Sequence, residues 1–107
     1  MTLLFKGHHI PRIQQGFKTV TRRPSRPMVK PGGVYRLKIK LFESLPDRIM
    51  VDRLYRQRLG DMTAVDAERE GYPDLQGFRE EWEAIYGDWD PERVVWVVEF
   101  CYLGIQS

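Results

Sequence analysis

The run Gly16-Phe17-Lys18-Thr19-Val20-Thr21-Arg22-Arg23 concentrates the reactive side chains of this 107-residue chain. A glycine that can turn the backbone precedes a lysine, two hydroxyls at alternate positions and two arginines. On an extended backbone Thr19, Thr21 and Arg23 share one face, because side chains there alternate. Such a face could present a hydroxyl pair and a guanidinium to a phosphate or a polar heterocycle. It equally describes an edge strand with a solvated basic face.

The elements that must position this run are readable on either side of it. Leu3-Leu4-Phe5 reads as a first strand. His8 to Gln15 reads as a helix, with Ile10 and Ile13 at helical spacing and Pro11 in the first turn. Gly16 suits the left-handed position that closes such a helix, so the reactive run leaves a helix end as an extended segment. Pro24, Pro27 and Pro31, with Arg26 and Lys30 between them, form a stiff basic loop.

Beyond Gly32-Gly33, Tyr35, Leu37, Ile39 and Leu41 alternate with Arg36, Lys38 and Lys40, the period-two pattern of a strand. Phe42 to Asp47 is expected to turn around Pro46. A second strand, Ile49 to Leu59, slips phase near Asp52–Leu54, as a β-bulge requires. Thr63 can cap a helix over Ala64–Glu70 whose small-residue face is Ala64, Ala67 and Gly71, with Asp66 favourable at its positive end. Glu70 borders that face, where a carboxylate either rides the rim or reaches into a cleft.

Asp74 caps a helix running to about Tyr86, stopped by Gly87. Leu75, Phe78, Trp82, Ile85 and Tyr86 make its core-facing stripe, and Glu80, Glu81 and Glu83 face away. Val94 to Tyr102 is apolar on both phases except Glu99, which suits a central strand. Glu99 must then pair with an arginine or face a polar cavity.

Composition narrows the function classes. The length suits one domain. A single cysteine excludes an internal disulfide, and the Cys and His content offers no structural zinc set, since adjacent His8 and His9 lack a nearby third ligand. The pair reads as a helix cap or an exposed pair. Neither a signal peptide nor a membrane-spanning run is evident, which points to a cytoplasmic protein. Residues 1–60 carry 14 of the 17 Lys and Arg but 3 of the 15 Asp and Glu. This separation suits a phosphate-bearing partner, unless folding interleaves the two halves. Strands grouped around helices without regular βαβ alternation indicate a small α+β barrel.

Gly16-x-Lys18 followed by Arg23 resembles the G-x-K-x4-R signature of the ASCH domain, a PUA-like β-barrel family. Gly33-Val34-Tyr35 resembles that family's entry to the next strand without its usual acidic residue. Ala67-Glu68-Arg69-Glu70-Gly71 resembles its A-x-x-E-G helix end, and Val97-Val98-Glu99-Phe100 its closing strand. The resemblance covers nearly the whole chain, as one domain over 1–107. It implies an α+β fold, a small PUA-like barrel with flanking helices, and a cleft for RNA, a nucleotide or a modified nucleoside.

One branch of the family removes the acetyl group from N4-acetylcytidine with a lysine, a threonine and a glutamate, which match Lys18, Thr21 and Glu70. Arg22 stands where that branch has an apolar residue, and Gly71-Tyr72 also departs from it. The leading expectation is therefore RNA or nucleotide binding through Lys18, Thr19, Arg22 and Arg23, with the amidohydrolase as the alternative. Neither a cofactor nor a metal is expected.

Overall fold

A computed structural model of the chain describes residues 3–40 and 43–105. Four antiparallel strands, β1 (Val20–Arg23), β2 (Val34–Lys40), β3 (Glu43–Arg58) and β4 (Val94–Ile105), form a sheet in the order β1-β4-β3-β2. Three helices accompany it: α1 (Ile10–Gln14), α2 (Ala64–Arg69) and α3 (Leu75–Tyr86). The result is a small α+β domain with an open sheet rather than the expected barrel. β1 and β2 are its edges, and no ladder joins them among the described residues. Leu3–Phe5, read from the sequence as a first strand, form none; Phe5 N–H donates to the Lys38 carbonyl of β2 at 2.9 Å.

β4 is central, flanked by β1 and β3, which explains its apolar character on both phases. Val98 and Phe100 pack with Phe5, Ile13, Leu37 and Val51 in one core cluster. Val95, of opposite parity, packs with Leu59, Ala67, Phe78 and Trp82 in a second. Full burial of such side chains contributes roughly 1.5–3 kcal/mol each. Of the expected small-residue face, Ala67 is buried in this second cluster while Ala64 is exposed.

Local signals are realised closely. A 3-10 turn over Gly7–His9 leads into α1, with Pro11 in its first turn. Gly16 has φ 81°, and the amides of Phe17 and Lys18 both donate to the Arg12 carbonyl, at 2.8 and 3.0 Å. That left-handed turn closes α1 and delivers Lys18 to the start of β1. Thr63 and Asp66 form a reciprocal capping box at α2, and the Asp74 carboxylate accepts from the Gly77 amide at α3. The β3–β4 register slips between Val51 and Arg53, the bulge indicated by the sequence phase.

Pro46 departs from expectation. It lies inside β3 rather than in a turn, where the register against β2 jumps from Arg36↔Arg48 to Lys38↔Ser44. Because the extra residues there are unpaired with β2, a proline without an N–H is tolerated. Leu41 and Phe42 lie outside the described residues. Among the described residues, no helix is long and apolar enough to cross a membrane.

The capping box carries the helix that ends at Glu70, so it anchors more than local structure. Thr63→Ala is expected to lower unfolding stability by about 1 kcal/mol, read as a shift of the denaturant midpoint at unchanged slope.

Candidate functional site

Lys18, Thr21, Arg22, Arg23 and Glu70 line one cavity of about 230 Å3. Lys18 arrives from the turn after Gly16, Thr21 to Arg23 belong to β1, and Glu70 is the C-cap of α2. The carboxylate of Glu70 is shared by two cations. Its Oε1 accepts from Lys18 Nζ at 2.8 Å and its Oε2 from Arg22 Nη1 at 3.0 Å. All three side chains are essentially removed from solvent, at 3%, 0% and 3% exposure for Lys18, Arg22 and Glu70.

Glu70 is thus buried in the cleft instead of riding the rim. Two features of the backbone press the end of α2 against the Gly16–Arg23 segment. Lys18 Nζ also donates to the Glu70 carbonyl at 3.1 Å, and the Thr19 amide donates to the Arg69 carbonyl at 2.8 Å. These bonds satisfy carbonyls that a helix end leaves open. Gly71 then turns away with φ 96°; a Cβ there would meet Arg12 Cδ at 3.1 Å and Lys18 Cβ at 3.4 Å. The residue after Glu70 must be small for the approach to occur.

Arg22 lines the cavity, but its guanidinium is engaged by protein acceptors. Besides Glu70, its Nε and Nη2 donate to Gln57 Oε1 at 3.2 and 2.9 Å, and Asp66 Oδ1 lies 3.6 Å from Nη2. Arg23 stacks over the Phe5 ring, 5.2 Å from its centroid, and donates from Nε to Thr21 Oγ1 at 3.2 Å. Thr21 and Arg23 therefore share a face as alternation requires. Thr19 does not line the cavity; it precedes β1, and its carbonyl accepts from the Phe100 amide at 2.9 Å.

Burial pulls the Lys18 ammonium below its ordinary value, with the Glu70 charge and hydrogen bond opposing that shift. Burial likewise lowers Arg23, opposed by Tyr86 and Glu70. His9, also on the cavity wall, is held down to about 3 by burial and then by the Lys18 charge, so its ring is neutral.

The charge separation along the chain is partly cancelled by folding. Lys18–Glu70, Arg22–Asp66, Arg53–Glu99 and Arg58–Glu92 each join the basic half to the acidic half. Glu99 pairs with Arg53 at 3.4 Å and Arg69 at 3.1 Å, the first of its two expected fates.

Several cavity residues were not marked as such by the sequence. Tyr72, Phe78, Trp82 and Tyr86 line an aromatic side of it while the middle two also belong to the core. His9 holds the N-cap position of α1, as one expectation had it, but makes no side-chain capping bond; the two are not an exposed pair, since His9 is buried, and both rings meet Glu81. Glu81 was expected to face away, yet it lies three residues after Phe78 and four before Ile85, which puts it beside the apolar stripe.

No family model matches the chain, and no curated protein does. Solved structures do share its fold. An ASCH domain from Lactobacillus crispatus JV V101 superposes with a TM-score of 0.73 over 88% of this chain and 69% of that one, at 11% identity. Protein EF3133 from Enterococcus faecalis V583, described as DUF984, gives 0.62 over 88% and 66%, at 17% identity. The chain has an ASCH-like fold.

The shared carboxylate makes the two cations unequal in a measurable way. Removing the Glu70 charge leaves Lys18 without its carboxylate and Arg22 with only Asp66, 3.6 Å away, whereas removing Lys18 leaves Glu70 paired with Arg22. Glu70→Gln is therefore expected to lose about 3 kcal/mol or more of unfolding stability, and Lys18→Met distinctly less. Urea titrations of the two variants compare them directly.

Proposed function

We propose that the cavity holds a nucleoside and that Lys18, Thr21 and Glu70 hydrolyse an N-acyl group from its base, as in N4-acetylcytidine. The observation that carries this reading is the convergence of these three side chains, from two distant parts of the chain, on one cavity. The buried ion pair between two of them supports it, because buried, paired ionisable groups in a cleft cluster at functional sites. The ASCH-like fold and the Gly16-x-Lys18 motif support a nucleoside-related ligand.

Arg23 Nε donates to Thr21 Oγ1, so the hydroxyl's own hydrogen is directed elsewhere. Neutral Lys18 takes that proton as Oγ1 attacks the acyl carbon. Burial favours its neutral form, against the opposing pull of the Glu70 charge. The resulting oxyanion lies beside the Arg23 guanidinium, which stabilises it. Collapse breaks the C–N bond, and the leaving amine receives the proton from Lys18. Water then hydrolyses the acyl–Thr21 ester, with Lys18 again accepting a proton, and Thr21 regains its hydroxyl hydrogen. The aromatic wall of Tyr72, Phe78, Trp82 and Tyr86 supplies a surface for the base.

A second reading, RNA binding without turnover, is favoured by one surface feature. Arg26 and Arg56 flank Trp96, with guanidinium carbons 5.0 and 5.7 Å from its ring centroid, and both arginines are exposed. Cations around an aromatic ring suit single-stranded nucleic acid.

Incubation with N4-acetylcytidine, followed by chromatography, separates the readings. Cytidine release is expected, lost in Thr21→Val and reduced at least about 100-fold in Lys18→Met. The rate should rise with pH along a limb whose midpoint lies below the ordinary lysine value of 10.5. Release that persists in Thr21→Val would remove the threonine from the mechanism. Absence of release, with RNA affinity that falls steeply with salt and with Arg56→Ala, would favour the second reading.

A further inference from the structure

His8, His9 and Glu81 form a cluster that the Lys18 chemistry does not use. The imidazole Nε2 atoms of the two histidines face the two oxygens of one carboxylate, at 2.7 Å for His8–Oε1 and 3.3 Å for His9–Oε2. Their donor atoms all lie within 4.8 Å of one another. The histidines come from the turn before α1 and the glutamate from α3, so the cluster is assembled by the fold.

We propose that His8, His9 and Glu81 bind one divalent transition-metal ion such as zinc(II), through the two Nε2 atoms and the Glu81 carboxylate. Two imidazoles and one carboxylate are a zinc donor set, whereas calcium and magnesium favour oxygen alone. Three protein ligands leave a further position for water or another ligand. Because His9 and Glu81 line the cavity, that position is accessible to a molecule bound there.

One separation already suits the ion. Zinc bonds of about 2.0–2.2 Å place neighbouring tetrahedral donors roughly 3.3 Å apart. The His9–Glu81 separation is already 3.3 Å. The His8 contact, at 2.7 Å, must open slightly, and this side chain is half exposed and can move. His9 and Glu81 are the fixed members: His9 is buried against the Tyr72 ring, and Glu81 stands on α3 between buried Phe78 and Trp82. The two imidazoles lie with centroids 4.3 Å apart and planes inclined at 35°, so both nitrogens reach the same carboxylate. One carboxylate near Arg12, Lys18 and Arg23 gives a weaker field than a structural zinc site, and micromolar affinity is expected.

Calorimetric titration of chelator-treated protein with zinc chloride tests the proposal without reference to any reaction, so it stands or falls separately from the Lys18 mechanism. One ion per chain is expected, with affinity at least tenfold weaker in His8→Ala and in Glu81→Gln and retained in Thr21→Val. Cobalt(II) in place of zinc should give the visible absorption of a four-coordinate nitrogen–oxygen site, lost in the same two variants. Circular dichroism establishes that both variants fold; His8 is exposed enough for its removal to be benign. Absence of binding, or equal binding in all three variants, would overturn the proposal.

Discussion

Glu70 holds Lys18 with one carboxylate oxygen and Arg22 with the other, out of contact with solvent. Two cations and one anion in a small protein's interior carry a desolvation penalty that their mutual attraction offsets only in good geometry. Asp66, 3.6 Å from Arg22, brings a second negative charge to the group. Gln57 on β3 accepts from two more donors of the guanidinium. The arrangement thus couples the Gly16–Arg23 segment, the end of α2 and the middle of the sheet. Much of the local backbone serves it: the Thr63 cap that starts α2, the glycine turn that follows Glu70, and the bonds from Lys18 and Thr19 to the last carbonyls of the helix.

The same contact decides what each cation can do. Arg22, although one residue from Thr21, is committed to holding Glu70 and orienting the end of α2. Lys18 is bound to the same carboxylate but faces the cavity, where burial makes its neutral form more accessible. Arg23 remains beside the Thr21 hydroxyl, anchored on Phe5. The structure thus separates an arginine engaged by protein acceptors, a buried lysine on the cavity wall and an arginine beside the Thr21 hydroxyl, a difference of partners rather than of residue type.

What the sequence disclosed was mostly local. Gly16 and Gly87 were readable as helix stops because a left-handed residue at a helix end is a backbone requirement. Thr63 and Asp74 were readable as caps because their partners lie three residues away, and the β3 bulge because it shifts the phase of alternation. The misread features depended on distant chain. Glu70 stayed open between rim and cleft because nothing near it in sequence needs a carboxylate; its partners are 52 and 48 residues away. His8 and His9 lacked a third polar group until Glu81 came from α3. Pro46 looked like a turn, since the register jump that accommodates it belongs to the pairing with β2. The barrel implied by the resemblance is an open sheet among the described residues, where no ladder joins β1 to β2.

The claim that unites the fold with the proposed chemistry is that Lys18 is a buried, Glu70-coupled amine at a nucleoside site. NMR titration of the Lys18 side chain, with and without cytidine, tests it most directly. The account predicts a midpoint below the ordinary value of 10.5, displaced when cytidine is added and when Glu70 is changed to Gln. A lysine that titrates at its ordinary value, indifferent to both, would contradict it.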